Sequence, residues 1–164
     1  MSLTLDELVA RQEITDVVKR LARGTDRLDE EAMAACYHPD GFDDHNAFRG
    51  SGTEFARWVC EVLPHFVATH HFVADPYIRI EGDTAQVDTY CEAHHVGTDS
   101  DLIIGLRYVD RFERRDGTWR IARRVCAFDW TYTVPFDPAA KMDFPADFTV
   151  GRRDRTDITY TGLA

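Results

Sequence analysis

The sequence predicts an α+β fold in which a curved, cone-shaped sheet of mixed or antiparallel strands wraps around helices near the N-terminus. Apolar residues recur at helical spacing as far as Leu63, and after His70 the period of the pattern changes from about 3.6 residues to about 2. Turns at 81–83 and 115–117 separate long stretches of this strand pattern, so we expect successive strands to pair antiparallel. A cone of this kind has one open end, where we expect a ligand pocket.

Three helices are predicted before the strands, and each begins at a residue whose side chain can cap a helix N-terminus. They run from caps at Thr4, Asp29 and Ser51 to residues 23, 37 and 63. Gly24 is expected to end the first helix, because glycine readily adopts the left-handed conformation that terminates helices. The second is expected to end at the turn-forming residues 38–41.

Four strands follow in the predicted order. They cover residues 71–81, 85–95, 102–113 and 118–132. In the second strand, His95 shares a face with small apolar residues, whereas His94 points to the opposite side. His70 and His71 also point to opposite faces, so the two cannot serve the same site.

The chain length supports one domain with a tail. The last 30 residues contain three prolines and no clear period, so we expect a domain over residues 1–134 and an extended tail over 135–164. The tail is expected to wrap around the domain or around a partner.

Charge and composition exclude several classes of partner. The 164 residues include 19 Lys and Arg against 29 Asp and Glu, and the net charge of −10 argues against binding nucleic acid or an anionic membrane. The sequence has no apolar stretch of about 20 residues and no signal-peptide pattern at its N-terminus. Its four cysteines are scattered without a CxxC pair, which is typical of free thiols in a reducing compartment. We therefore expect a cytoplasmic protein.

Histidines on inward faces are the first candidates for chemistry. Burying an imidazole without a partner costs about 1–3 kcal/mol, so an inward His95 needs a hydrogen-bond partner or a ligand. A hydrogen-bonded core histidine without function is the alternative. His45, His71 and His95 with a carboxylate could hold a transition metal, but no HExxH or close HxH motif supports this, and we expect no metal and no other cofactor.

Two acidic segments provide candidate partners for these histidines. Asp26 lies next to a chain reversal, and because Asp29 is the better-placed helix cap, Asp26 is left without a local role. In the segment 42–45, a carboxylate and His45 stand side by side, which makes Asp44 a candidate for a pocket. The alternative explanation for this segment is the ordinary polarity of a surface loop.

Several segments, taken in order, resemble the SnoaL-like branch of the nuclear-transport-factor-2-like superfamily over roughly residues 5–133. They are the first helix, Gly24-Thr25-Asp26, His38-Pro39-Asp40, Thr69-His70-His71-Phe72 and Arg115-Asp116-Gly117-Thr118-Trp119-Arg120-Ile121. The resemblance implies a cystatin-like α+β barrel, in agreement with the hydrophobic pattern. The enzymes of this superfamily include scytalone dehydratase, hexachlorocyclohexane dehydrochlorinase, bile-acid dehydratases, ketosteroid isomerase and polyketide cyclases.

The chain is most similar to the dehydratase and dehydrochlorinase members, which use an Asp–His pair. The resemblance implies that Asp26 is the acidic partner and His71 the general base. His95 matches the second active-site histidine of scytalone dehydratase. His45 falls where that enzyme places a tyrosine that holds a substrate carbonyl through water, and Thr25 falls on its other tyrosine. Because both tyrosines are replaced, we expect a substrate other than scytalone.

These residues predict a cofactor-independent lyase or dehydratase, or a related proton-transfer isomerase, for a small hydrophobic or aromatic-ring substrate. Elimination needs a base for a carbon-bound proton and an acid for the leaving group, and histidine can serve as either near neutral pH. Two alternatives stay open. One is a non-catalytic ligand-binding or assembly module, similar to transport adaptors and to the small subunits of ring-hydroxylating oxygenases. The other is a metal-dependent enzyme that uses the same histidines.

Aromatic residues near the strand ends are expected either to line the pocket or to pack in the core or at an interface. They are Phe72, Tyr90, Tyr108, Phe128, Trp130 and Tyr132. Because the open sheets of this superfamily commonly pair, the resemblance implies a homodimer or homotrimer.

Overall fold

The computed structural model describes residues 3–140 and 143–163. In this part of the chain the α-helices are α1 (Leu5–Arg27), α2 (Glu30–Ala34), α3 (Gly52–Val62) and α4 (Ile158–Thr161), and 3₁₀ turns cover Leu63–His65 and Pro138–Ala140. The strands are β1 (Tyr37–Asp44), β2 (Arg49–Ser51), β3 (Ala68–Val73), β4 (Tyr77–Glu81), β5 (Thr84–Val96), β6 (Ser100–Arg115) and β7 (Thr118–Pro135). None of the helices in these two described ranges is long and apolar enough to cross a membrane.

The strands form one mixed sheet in the order β2-β1-β7-β6-β5-β3, with β4 pairing with β5 beside β3. β1 and β7 run parallel, and the other neighbouring strands run antiparallel. Asp116 and Gly117 connect β6 to β7 at φ values of 50° and 75°, the left-handed conformation that suits a tight hairpin. The sheet curves around α1 and α3 and leaves β2 and β3 at its two ends. The predicted α+β fold is therefore confirmed.

The core lies between the helices and the inner face of the sheet. Ile14, Val18 and Leu21 on α1 are almost fully buried, and they pack in one cluster with Phe112 of β6 and Ile121 of β7. Each such side chain contributes about 1.5–3 kcal/mol on burial, so the apolar stripe fixes α1 across the sheet.

The inner face of β5 extends from this core to the far end of the sheet. Ala85 and Val87 belong to the main core, and Cys91 and Ala93 belong to a smaller cluster farther along the strand. The same face ends at His95, as the alternation in the sequence predicts.

The predicted end of the first helix at Gly24 is wrong, because α1 continues to Arg27. Leu28 ends it in the left-handed conformation, with φ of 54°. Gly24 instead allows α2 to approach, since a Cβ atom there would lie 2.9 Å from Cγ of Met33. The additional turn places Asp26 inside the helix.

The predicted extent of the second helix is also wrong. Its Asp29 cap is confirmed, but α2 ends at Ala34 and β1 begins at Tyr37. Tyr37 aligns with Ile121 of β7, and the Ile121 N–H donates to the Cys36 carbonyl at 2.9 Å. Pairing with a strand far along the chain overrides the local helical pattern.

The predicted strand over 71–81 is two strands, β3 and β4. Ala74 leaves the ladder of β3 and donates its N–H to the Tyr90 carbonyl at 2.9 Å. Pro76, which has no N–H to donate, lies in the interruption before β4 begins at Tyr77.

The segment after β7 returns to the helices. Asp29 accepts hydrogen bonds from Nη2 of Arg155 at 3.1 Å and from the hydroxyl of Tyr160 at 2.8 Å, in addition to capping α2. These contacts hold the segment 155–160 against the start of α2. The boundary between a domain over 1–134 and a tail over 135–164 stays a prediction.

Candidate active site

A cavity of about 230 Å³ lies between the helices and the inner face of the sheet. Apolar side chains form most of its wall, among them Val18, Leu21, Val59, Leu106 and Phe128. The polar and titratable side chains that line it are Thr25, His45, His71, His95, Tyr108 and Arg124. The three predicted site histidines therefore face one apolar cavity.

Asp26 forms a hydrogen-bonded pair with His71, which lines the cavity. The backbone N–H of His71 donates to Oδ2 of Asp26 at 2.9 Å, and the ring Nδ1 lies 2.8 Å from Oδ1. Asp26 is only 7% exposed, and burial alone would raise its pKa. The hydrogen bonds from His71 outweigh burial and hold the Asp26 pKa below its ordinary value.

This pair fixes the tautomer of the His71 ring. An ionised carboxylate can only accept hydrogen bonds, so Nδ1 of His71 carries its proton toward Asp26. Nε2 then keeps its lone pair and can act as a base. The last turn of α1 supplies the acid and β3 supplies the histidine, so the pair forms only when these two elements pack together.

His95 lies beside His71 on the same wall. The two rings meet edge to face with centroids 5.6 Å apart, and Phe66 contacts His95 from another side at 5.0 Å. Burial, followed by the proximity of His71, lowers the pKa of His95 to about 4. Its Nδ1 is buried without a hydrogen-bond partner among the described residues. His95 is therefore neutral at neutral pH, and it lines the cavity with one ring nitrogen unpaired.

His45 lines the cavity directly after β1, but its carboxylate partner is Asp43. Nδ1 of His45 contacts Oδ1 of Asp43, whereas Asp44 binds the Arg49 guanidinium at 3.0 Å. The expectation that Asp44 serves the pocket is therefore wrong. Successive residues of a strand face opposite sides, so Asp43 turns inward and Asp44 turns outward.

A buried ion pair next to the cavity was not predicted from the sequence. Arg124 of β7 binds Asp110 of β6 through two hydrogen bonds of 2.7 and 2.6 Å, and its guanidinium lies 4.0 Å from the centre of the Tyr108 ring. Burial disfavours the charge of Arg124, but Asp110 outweighs burial and holds the Arg124 pKa well above its usual value. Asp110 stands between inward-facing Tyr108 and Phe112, so the alternation in β6 could have identified it.

The aromatic residues near the strand ends divide between the two faces of the sheet. Tyr108 and Phe128 line the cavity. Phe72, Tyr90 and Trp130 line a groove on the other face. No group of three or more His, Cys, Asp or Glu side chains within 3–140 and 143–163 is arranged to hold a metal ion.

The fold and the cavity define a class of α+β proteins that enclose a small-ligand site inside a curved sheet. The chain belongs to the SnoaL-like domain family, whose sequence model matches residues 6–125. This family is part of the nuclear-transport-factor-2-like superfamily and shares its fold with dehydratase-type proteins.

Known proteins with similar sequences or folds agree with this assignment. An uncharacterized protein of Mycobacterium tuberculosis is 28% identical over 129 residues, which cover 75% of this chain and 88% of that protein. The solved structure of hexachlorocyclohexane dehydrochlorinase LinA-type3 from Novosphingobium barchaimii has a TM-score of 0.71 and 21% identity, and the match covers 86% of this chain and 98% of that one. A scytalone dehydratase-like protein from Novosphingobium aromaticivorans has a TM-score of 0.70 and 21% identity, over 86% and 100% of the two chains. At these identities the solved structures establish the fold.

Proposed function

We propose that the protein is a cofactor-independent lyase or dehydratase, or a related proton-transfer isomerase, acting on a small hydrophobic or aromatic-ring molecule. The observation that carries this proposal is the hydrogen-bonded Asp26–His71 pair, whose histidine lines an apolar cavity. A buried carboxylate that fixes one tautomer of a histidine makes the opposite ring nitrogen a base, as the acid does in a hydrolase triad.

The proposed reaction begins when Nε2 of His71 removes a proton from a carbon next to a carbonyl group. The electrons of the broken C–H bond form a C=C bond, and the C–O bond to a hydroxyl leaving group breaks. The departing oxygen takes a proton and leaves as water. Asp26 stabilises the imidazolium that forms on His71, and the neutral His95 is placed to hydrogen-bond the substrate.

The cavity supports a substrate with one ring. A cavity of about 150 Å³ in another protein accommodates benzene, so about 230 Å³ leaves room for a substituted ring. Two proteins with this fold carry names that describe eliminations, a dehydrochlorinase and a dehydratase-like protein. Their names support an elimination here as well.

The test is turnover of a panel of β-hydroxy ketones that carry one aromatic ring, followed by the ultraviolet absorbance of the conjugated product. The wild type is expected to convert at least one member, and His71→Ala is expected to lose about 10²- to 10⁴-fold in kcat/KM. His70→Ala is the matched control, because His70 is the neighbouring residue on β3 and is exposed. Circular dichroism checks that both variants are folded.

Two results would contradict the proposal. One is a His71→Ala variant as active as the wild type. The other is a wild type that binds the panel without converting any member, which would favour the non-catalytic ligand-binding module instead.

We also propose that the protein forms a homodimer or homotrimer through the outer face of the sheet. Phe72, Tyr90 and Trp130 on that face are 68%, 63% and 43% exposed, and aromatic residues are enriched at protein interfaces. Analytical ultracentrifugation should give a multiple of the 18.8 kDa chain mass, and a monomer would refute the proposal.

The free thiols of the cysteines support a location in the reducing cytoplasm.

A further inference from the structure

A second Asp–His pair reaches the cavity from the other end of the sheet. Oδ1 of Asp43 accepts from Nδ1 of His45, and Oδ2 accepts from the hydroxyl of Tyr37. Asp43 is 0% exposed and Tyr37 is 2% exposed. Both oxygens of a fully buried carboxylate are thus committed, one of them to the ring of a cavity histidine.

The ring of His45 is held in one orientation. It stacks on Phe55 of α3, with ring centroids 4.4 Å apart and an angle of 21° between the ring planes. The centroid of the Tyr108 ring lies 6.0 Å from that of His45. The Asp43 contact occupies Nδ1, so Nε2 is the ring nitrogen left for a ligand. A surface histidine needs none of these supports, and a buried carboxylate is costly unless it is paired.

His45 also has contact with the outside of the protein. His45 lines the cavity. It also lines an open groove at the surface, together with Asn46, Ala47 and Phe128. This position allows the ring to exchange protons with water while facing a bound substrate. His95 is unsuited to donate a proton, because burial keeps it neutral at neutral pH.

We propose that His45 and Asp43 are the acid half of the active site, with Tyr37 as a positioning residue that acts through Asp43. This inference rests on the proposed function. β1 carries Asp43 and ends just before His45, whereas β3 carries His71, and these strands lie near opposite ends of the sheet order. A substrate in the cavity therefore has a base on one side and a proton donor on the other.

The protons balance over one cycle. Nε2 of His71 takes the carbon-bound proton, the C–O bond breaks, and protonated His45 gives its Nε2 proton to the departing oxygen, which leaves as water. His71 then releases its proton to solvent, and His45 takes one from solvent through the surface groove. The substrate class is a ring-bearing β-hydroxy carbonyl compound whose acidic C–H and hydroxyl group face opposite walls.

The charge that acts on His45 comes from Asp43. The other titratable groups packed around this region are Tyr108, Asp110, Arg124 and Cys126. Asp110 and Arg124 neutralise each other through their two hydrogen bonds. Burial raises the pKa of Tyr108 and of Cys126, so both stay protonated and uncharged.

Leaving-group dependence tests the assignment. A chloride leaving group needs no proton, whereas hydroxide does, so His45→Gln should lower kcat/KM for a β-hydroxy ketone about 10²-fold more than for its β-chloro counterpart. His65→Gln is the matched control, because His65 is exposed and its Nδ1 lies 2.9 Å from the Val62 carbonyl. His71→Ala should lose both reactions.

The outcomes separate the two proposals. If His45→Gln leaves the ratio of kcat/KM between the hydroxy and chloro substrates unchanged while His71→Ala is inactive, only the proposed role of His45 and Asp43 is overturned. A His71→Ala variant that keeps both reactions overturns the proposed function and the second pair with it.

The pH dependence provides an independent test with a variant that keeps the aromatic ring. Tyr37→Phe removes one donor from Asp43, so the carboxylate holds the proton of His45 more tightly and the alkaline limb of the kcat/KM profile should move to higher pH. Asp43→Asn should move it to lower pH, and Asp44→Asn, on the neighbouring outward residue, should leave it in place. A purely structural role of Tyr37 would leave the alkaline limb in place. If that limb does not move in Tyr37→Phe, the proposed role of Tyr37 and Asp43 is overturned.

Discussion

Replacing Asp26 by asparagine should abolish catalysis while the protein stays folded. The backbone N–H of His71 can only donate, so it selects the amide oxygen of the new side chain in the place of Oδ2. The amide NH₂ then takes the place of Oδ1 and donates to Nδ1 of His71. The imidazole must carry its proton on Nε2, which removes the base from the cavity.

The structure sets the size of both effects. The rate should fall on the order of 10⁴-fold, as for the same change in a hydrolase triad, because the wrong tautomer is present. Both hydrogen bonds survive between neutral groups, and the contribution of each to stability falls by about 1 kcal/mol when the charge is removed. The free energy of unfolding should therefore fall by about 2 kcal/mol. For a chain of this length that corresponds to a fall in Tm of roughly 4–8 °C.

Three measurements check this prediction. Steady-state kinetics on the converted β-hydroxy ketone give the rate, thermal unfolding gives Tm, and nitrogen-15 NMR of the histidine rings identifies which nitrogen of His71 is protonated. An Asp26→Asn variant with the wild-type rate would refute the reasoning, as would a protonated Nδ1 on His71 in that variant.

Three further predictions concern stability. His95 has a pKa of about 4 in the folded state against 6.5 for the free side chain. The free energy of unfolding of the wild type should therefore fall by roughly 3 kcal/mol as the pH is lowered from 6.5 to about 4. In urea titrations at several pH values, His95→Gln should remove this part of the pH dependence. Arg124→Met should destabilise the fold by about 3–5 kcal/mol by leaving Asp110 buried without a partner, and adding Asp110→Leu should restore most of the loss. Gly24→Ala should also lower the urea midpoint, although alanine favours helix, because its Cβ meets Met33 at 2.9 Å.

Local patterns predict those parts of the fold that neighbouring residues determine. The caps at Thr4 and Ser51 each form a complete capping box, because the donor, the acceptor and the start of the helix are close together in the sequence. Alternation along β5 places His95 on the inner face, because the period of a strand is fixed by its own backbone.

Long-range pairing explains what local patterns miss. β1 is a strand because it pairs with β7, and nothing in residues 37–41 signals a partner so far along the chain. Without β1, the inward orientation of Asp43 cannot be deduced, and the residue next to His45 in the sequence, Asp44, becomes the candidate instead. The bulge between Tyr37 and Phe42 further interrupts the alternation within this strand.

The family resemblance supplies what the hydrophobic pattern cannot. Pattern alone leaves Asp26 without a role, whereas the resemblance pairs it with His71, and their hydrogen bonds are present in the structure. The match of His45 to a tyrosine gives no reason to look for Asp43, because a tyrosine needs no carboxylate to hold its proton.

Hydrogen exchange at carbon tests most directly whether the Asp26–His71 pair removes a carbon-bound proton in the cavity. A ring-bearing ketone without a leaving group is incubated with the protein in deuterated water, and deuterium at the carbon next to the carbonyl is followed by NMR. The wild type and His70→Ala are expected to incorporate deuterium well above the buffer rate, and His71→Ala is expected to match the buffer. Equal incorporation by the wild type and His71→Ala, or none above buffer by the wild type, would contradict the proposed chemistry.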